Sequence, residues 1–167
     1  VNTTGATNVA VGALALDANT TADNNTALGY LALTANTTGA SNTALGLSSL
    51  ESNTTASHNI AIGVSCMANN TTGAENTAIG NYALDASNAS YNVAIGVHAL
   101  GANTSGANNA AVGYQALAAN TTAANNTAVG YNALEVNTTG AGNVAVGGYA
   151  LDANTTAANN TAIGYQA

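Results

Sequence analysis

The sequence predicts an all-β fold, a β-solenoid or β-roll of about ten stacked repeats, and three observations carry this prediction. A glycine recurs along the 167-residue chain every 17 residues, with one step of 16. Asn stands four residues before each of these glycines, and Val, Ile or Leu stands directly before each. The glycines are Gly12, Gly29, Gly46, Gly63, Gly80, Gly96, Gly113, Gly130, Gly147 and Gly164. A unit this short cannot bury its own apolar face, so its copies must stack.

The residues leading to each glycine alternate as a β-strand does. In residues 143–147, Val144 and Val146 share one face, and Asn143, Ala145 and Gly147 share the other. We expect the aliphatic face to form the core. The Asn-Ala-Gly face has little side-chain bulk, so we expect another chain to approach it closely. Several chains packed side by side are therefore predicted, and three is our preferred number.

The remainder of the unit predicts a bend at the glycine, a second short strand around an Ala-Leu pair, and an exposed turn at Asn-Thr-Thr. The Leu position is a second core column and holds Leu16, Leu33, Leu50, Met67, Leu84, Leu100, Leu117, Leu134 and Leu151. The one short unit loses its residue in the segment 85–92. Loops tolerate length changes better than strands, so this deletion indicates a loop.

The asparagine before each strand predicts a hydrogen-bonded ladder, because stacked units place identical amides above one another. The predicted ladder residues are Asn8, Asn25, Asn42, Asn59, Asn76, Asn92, Asn109, Asn126, Asn143 and Asn160.

The composition limits the partners of the chain. It has no Lys or Arg and a formal net charge of −7. Binding to nucleic-acid phosphates or to an anionic membrane surface requires such cationic side chains, so we expect neither partner. No run of about 18 apolar residues is present, so we expect no insertion into a bilayer. The predicted partner is the chain itself, as a trimer or fibre, with a host-surface glycan or protein as a further candidate.

No set of residues predicts catalysis, a cofactor or a metal site, and we expect the protein not to be an enzyme. His58 and His98 occupy different positions of the unit and are interpreted as surface residues. Cys66 takes a position that Ala or, once, Ser49 fills in the other units, which predicts a buried small residue. A column of carboxylates follows the Leu position without the spacing of calcium-binding loops; its members are Asp17, Glu51, Asp85, Glu135 and Asp152.

Asn-Thr-Thr also matches the acceptor sequence for N-glycosylation, and the short unit has its own acceptor at residues 88–90. Asn and Thr are equally good turn residues, so both interpretations stay open. The candidate sites are Asn19, Asn36, Asn53, Asn70, Asn88, Asn103, Asn120, Asn137 and Asn154.

The pattern Asn-x-Ala-Ile/Val-Gly resembles the head repeat of trimeric autotransporter adhesins of the YadA-like type, with the best matches at residues 59–63, 92–96 and 143–147. The longer form, Asn-Thr-Ala-Val-Gly-Tyr-x-Ala-Leu with Asn-Thr-Thr, looks like repeats of phage tail fibres. The resemblance implies a left-handed, trimeric β-roll with an extracellular adhesive or spacer role, on a cell surface or a virion fibre. Adhesin heads have a shorter period, so the Asn-Thr-Thr segment is an extension of that pattern. Residues 129–134 also fit one hexapeptide of an acyltransferase β-helix, but the rest of the unit does not.

The leading functional hypothesis is a structural or adhesive segment of an extracellular fibre, in which residues 1–167 form one uncapped array. The alternative is ice binding, because stacked units would place one threonine per coil in a regular, uncharged file. That file contains Thr20, Thr37, Thr54, Thr71, Thr104, Thr121, Thr138 and Thr155.

Overall fold

The computed structural model describes residues 2–167 and shows a β-solenoid with one three-residue strand per coil. The ten strands form a single parallel sheet in which each strand pairs with the next along the chain. They are β1 Val9–Val11, β2 Thr26–Leu28, β3 Thr43–Leu45, β4 Ile60–Ile62, β5 Thr77–Ile79, β6 Val93–Ile95, β7 Ala110–Val112, β8 Thr127–Val129, β9 Val144–Val146 and β10 Thr161–Ile163. The predicted all-β solenoid of 17-residue repeats is confirmed.

The strands stack in register, so each strand residue pairs with the residue at the same position of the next coil. Thr26 pairs with Thr43, and Ala27 with Ala44. The register survives the short unit, where Thr77 still pairs with Val93. The missing residue is therefore absorbed outside the strands, as predicted.

The two faces of the sheet are the reverse of our expectation. The central alanine of the strand points into the coil, and Ala128 is fully buried. The aliphatic residue before the glycine points outward, and Val129 is 38% exposed. Across the coil, the small residue three positions after glycine reaches the strand itself: the Ser49 Oγ donates to the Ala61 carbonyl at 2.9 Å. The coil is too thin at this point to hold a larger inward side chain than Ala.

The second core prediction is confirmed, because the Leu column lies inside the coil. Leu33, Leu50, Leu84 and Leu117 have no exposed surface. Their neighbours are the strand alanines and the small residues that precede each Leu. The core therefore contains one large aliphatic side chain per coil, surrounded by alanine and asparagine.

The predicted second strand around Ala-Leu is wrong, because this segment is a pair of turns. The Ala15 amide donates to the Gly12 carbonyl at 3.3 Å, and the Asn19 amide donates to the Leu16 carbonyl at 3.3 Å. Leu16 has φ +54° and Leu14 has φ +59°, in the left-handed region that an extended strand excludes. The same left-handed φ recurs at these two positions in coil after coil and bends the backbone around the Leu column.

The recurring glycine is required where the backbone leaves the strand. Gly63 has φ +140°, a conformation that side-chain-bearing residues rarely adopt. A Cβ added to Gly63 would lie 2.6 Å from the carbonyl oxygen of Gly80 in the next coil. Stacking and backbone conformation therefore both demand glycine here.

Candidate functional site

The predicted asparagine ladder exists, and it connects side chains to backbone more than side chains to one another. The Oδ1 of Asn42 accepts a hydrogen bond from the Asn59 amide at 3.0 Å. The Nδ2 of Asn42 donates to the Ala56 carbonyl at 2.8 Å. The Asn42 amide thus satisfies a buried donor and a buried acceptor of the following coil. Direct amide-to-amide bonds also occur, as from Asn160 Nδ2 to Asn143 Oδ1 at 3.0 Å.

A second asparagine ladder lies at Asn-Thr-Thr, where the sequence indicated an exposed turn. The Nδ2 of Asn53 donates to Asn36 Oδ1 at 2.9 Å and to the Ala56 carbonyl at 3.0 Å. Seven of these asparagines are fully buried: Asn19, Asn36, Asn53, Asn70, Asn103, Asn120 and Asn137. A glycan would be attached to the side-chain nitrogen Nδ2 of these residues. In the folded array, these Nδ2 atoms donate hydrogen bonds inside the coil. Of the remaining candidate sites, Asn154 is half-buried and Asn88 is exposed.

In the short unit, two side chains accept hydrogen bonds at positions that other residue types fill in the complete units. Ser87 takes the place of the second-ladder asparagine, and its Oγ accepts from Asn103 Nδ2 at 3.1 Å. Asn88 stands at the threonine position, and its Oδ1 accepts from the Thr71 amide at 2.7 Å. In neighbouring coils a threonine carbonyl is the acceptor at that point, as for the bond from the Thr54 amide to Thr71. Ser87 thus connects the short unit to the following coil, and Asn88 connects it to the preceding one.

A continuous apolar surface lies on the outward side of the sheet, which we call the outer sheet face. It consists of the first and third residues of each strand, all of them exposed or half-buried. The third positions form a column of Val, Leu and Ile, with Val11 53% and Ile95 37% exposed. The first positions are Val9, Thr26, Thr43, Ile60, Thr77, Val93, Ala110, Thr127, Val144 and Thr161. No charged residue belongs to this face.

No carboxylate belongs to the outer sheet face; five of the seven directly follow the Leu column, and Glu75 borders the face beside Thr77. Asp85 is half-buried and accepts a hydrogen bond from Asn69 Nδ2 at 3.2 Å. Burial raises the pKa of Asp85 above its usual value, and this effect exceeds the opposing hydrogen bonds. Within residues 2–167, no group of three His, Cys, Asp or Glu side chains converges as a metal site would require.

Both histidines lie on the surface, and the cysteine lies inside. His58 borders a shallow depression with Glu75 and Thr77. His98 stacks on Tyr82 with ring centroids 5.1 Å apart. Cys66 is fully buried, as its position predicted, and its Sγ contacts the Ala78 carbonyl at 3.3 Å. Burial raises the pKa of the Cys66 thiol to about 12, so almost no reactive thiolate exists at neutral pH.

Four tyrosines on consecutive coils form a continuous column, which we call the tyrosine column: Tyr114, Tyr131, Tyr149 and Tyr165. The ring centroids of Tyr114 and Tyr131 are 5.2 Å apart, and the rings stack. Tyr149 lies 5.3 Å from Tyr131 and 5.9 Å from Tyr165. Tyr114, Tyr131 and Tyr165 stand directly after a recurring glycine, whereas Tyr149 stands one position later. Gly148 leaves the first position open, and the Tyr149 ring completes the column.

Comparison with known proteins adds no relative to this description. No family model, no curated protein and no solved structure matches the chain. Residues 2–167 also contain no helix of the length and apolarity needed to cross a membrane.

Proposed function

We propose that this chain is a structural segment of an extracellular fibre, in which copies of the solenoid pack side by side through the outer sheet face. The observation that carries this proposal is the position of the aliphatic column before the glycines. An ordinary soluble monomer rarely exposes a continuous apolar patch larger than a few hundred Å², and such a patch usually marks an interface. Here the column follows the sheet from Val11 in β1 to Ile163 in β10.

Charge supports self-association through this face. The chain has a net charge of −7 and no Lys or Arg, so two copies repel one another wherever their carboxylates meet. No carboxylate belongs to this face: five follow the Leu column, Asp23 precedes β2, and Glu75 borders the face beside Thr77. Two outer sheet faces can therefore meet with carboxylates at their border and none among the paired side chains.

The periodicity of the face supports the same partner. A second copy repeats the same strand spacing, about 4.8 Å, so its side chains can interdigitate over the whole length. A partner of different period would lose this match after a few coils. Three copies around a common axis would cover all three outer sheet faces, and three is the number that the resemblance to adhesin heads implies.

Sedimentation equilibrium of the purified chain tests the proposal. We expect a mass that is a multiple of the 16.1 kDa chain, and a threefold mass for the trimer. The variant Ile79→Asp/Ile95→Asp places two carboxylates on adjacent strands of the outer sheet face and is expected to sediment as a single chain. Burying an unpaired charge costs several kcal/mol, which weakens association by at least a hundredfold.

A matched variant, Thr72→Asp/Thr122→Asp, adds the same charge at exposed loop positions and is expected to keep the wild-type mass. Circular dichroism should show the wild-type spectrum for both variants. A monomeric wild type over the whole concentration range, or a wild-type mass for the Ile79 and Ile95 variant, would overturn the proposal.

Adhesion is the second part of the proposed role, with a host-surface glycan or protein as the ligand of the assembled fibre. Once the outer sheet faces are covered, the exposed loop threonines and the tyrosine column remain as its outer surface. Binding of the fibre to immobilised host glycans or proteins, compared with a fibre whose loop threonines are changed to alanine, tests this part directly.

Ice binding remains the alternative, and the regularity of the threonine file favours it. The Thr37 hydroxyl donates to the Thr54 carbonyl at 2.9 Å, and the Thr138 hydroxyl donates to the Thr155 carbonyl at 3.0 Å. These bonds hold one threonine per coil in a fixed orientation. In each bond, however, the threonine hydroxyl donates its hydrogen to a backbone carbonyl. Asn88 interrupts the file at the short unit. A measured thermal hysteresis would support this function, and its absence would remove it.

A further inference from the structure

We propose that the tyrosine column is a site of oxidative cross-linking, at which a peroxidase and hydrogen peroxide join tyrosines of neighbouring coils through dityrosine bonds. The column combines proximity, exposure and the lack of a competing target, each of which is a separate observation. Its products would be covalent bridges along the rod, independent of whether copies of the chain associate.

Proximity comes from the stacking of the coils. The ring centroids of consecutive members lie 5.2, 5.3 and 5.9 Å apart, within the range of rings in direct contact. Two groups held in contact react at an effective concentration far above that of free molecules in solution. Coupling between neighbouring coils is therefore favoured over coupling between separate chains.

Exposure gives an oxidant access to the rings. Tyr114 is 42%, Tyr131 50% and Tyr165 71% exposed, and Tyr149 is half-buried. A peroxidase acts on phenols that can approach its haem edge, and a column on the surface of a rod meets this condition.

The rest of the chain offers little competition for the oxidant. It contains no Trp, and both sulfur side chains, Cys66 and Met67, are fully buried. Oxidation of sulfur follows exposure and, for cysteine, thiolate character, and Cys66 has neither. Exposed tyrosine is thus the most readily oxidised side chain that solvent can reach.

The reaction balances with one molecule of hydrogen peroxide for each bridge. Each of two tyrosines loses one electron and one proton from its hydroxyl to give a phenoxyl radical. The radicals form one C–C bond between ring carbons ortho to the oxygens, and the hydrogen on each of these carbons moves as a proton to oxygen. Hydrogen peroxide accepts the two electrons and two protons and leaves as two molecules of water.

Digestion after glutamate provides a sharp test, because Glu135 lies between Tyr131 and Tyr149. The folded chain is treated with peroxidase and hydrogen peroxide, then denatured, digested and analysed by mass spectrometry. We expect fragment 76–135 joined covalently to fragment 136–167, with the loss of two hydrogen atoms and with dityrosine fluorescence. Absence of this joined fragment in the oxidised wild type would overturn the proposal.

Two variants assign the bridge to its residues. Tyr131→Phe removes the ring on one side of Glu135 and is expected to reduce the joined fragment at least tenfold. Tyr30→Phe removes an equally exposed tyrosine that makes no ring contact among the described residues, and the joined fragment should remain at the wild-type yield. An unchanged yield in Tyr131→Phe would overturn the assignment, as would a loss in Tyr30→Phe.

Isotope mixing separates bridges within a chain from bridges between chains. Labelled and unlabelled chains are refolded together and then oxidised. Joined fragments that carry a single isotope support coupling along one solenoid, whether or not the chains associate. Joined fragments of mixed isotope at the statistical ratio would show coupling between chains and would contradict the proposal.

Discussion

The coil contains two columns of large aliphatic side chains, and their environments are opposite. Leu100, in the inner column, has no exposed surface, whereas Ile95, five residues earlier in the same coil, is 37% exposed. Both columns repeat on the same schedule and use the same types of residue. The difference arises from the backbone: the turn that follows the glycine directs the Leu column inward, and the strand directs the aliphatic residue before the glycine outward. Hydrophobicity alone therefore does not identify the interior of a narrow solenoid.

The comparison also separates two roles. The inner column stabilises each chain, and the outer column is available for contact with another copy. Single-chain stability and association should then respond to different substitutions, and four predictions examine this separation.

The largest effect is expected at the bend that divides the two columns. Gly63→Ala adds a Cβ at φ +140° and 2.6 Å from the Gly80 carbonyl, so the substitution must shift the stack. We expect a loss of at least about 4 kcal/mol in the free energy of unfolding, measured by urea denaturation. Gly148→Ala is the control, because its added Cβ would approach nothing nearer than the Tyr165 ring, at 3.4 Å. A loss below about 1 kcal/mol in Gly63→Ala would show that the glycine is not required.

The two columns themselves give the next prediction. Leu100→Ala removes a fully buried side chain and is expected to cost about 2–5 kcal/mol, because a cavity is left in a thin core. Ile95→Ala removes a partly exposed side chain and should cost about 1 kcal/mol in the dissociated chain. Urea denaturation at low protein concentration measures both. Equal losses would show that the inner and outer columns do not differ in a single chain.

The width of the interior can be tested with two adjacent alanines of β7. Ala111 points inward and is fully buried, whereas Ala110 points outward and is half-buried. Ala111→Val should cost about 1–3 kcal/mol through overpacking. Ala110→Val should be neutral, because Val already occupies this outward position at Val93 and Val144. Thermal unfolding of the two variants checks this, and an Ala111→Val chain as stable as wild type would mean that the core has room for aliphatic strand residues.

The sequence predicted the period, the strand, the stacking and the first asparagine ladder, because each depends on spacing alone. It did not predict which strand face lies inside, since this depends on the path of the turns. Those turns use left-handed leucines such as Leu16 and Leu33, which residue preferences do not anticipate. It also assigned Asn53 and its equivalents to an exposed loop, because Asn-Thr-Thr is typical of turns. Their burial follows from the preceding coil, which supplies an acceptor, such as Asn36 Oδ1 for Asn53, that no single unit shows.

The smallest expected effect is a pH dependence at Asp85, on the surface just beyond the inner column. Burial raises the pKa of Asp85 in the folded protein above its unfolded value, so the folded state binds this proton more tightly. The contribution of Asp85 to stability is therefore highest at acidic pH, and it is lost as the pH rises through the folded pKa. Asp85→Asn should stabilise the chain slightly at neutral pH and reduce the gain in stability on acidification. Asp152→Asn, at the exposed equivalent position, removes the same charge from the net charge of −7 and is the control. Thermal unfolding of both variants at neutral and mildly acidic pH isolates the burial of Asp85 from general charge repulsion, and identical shifts in the two variants would contradict this account.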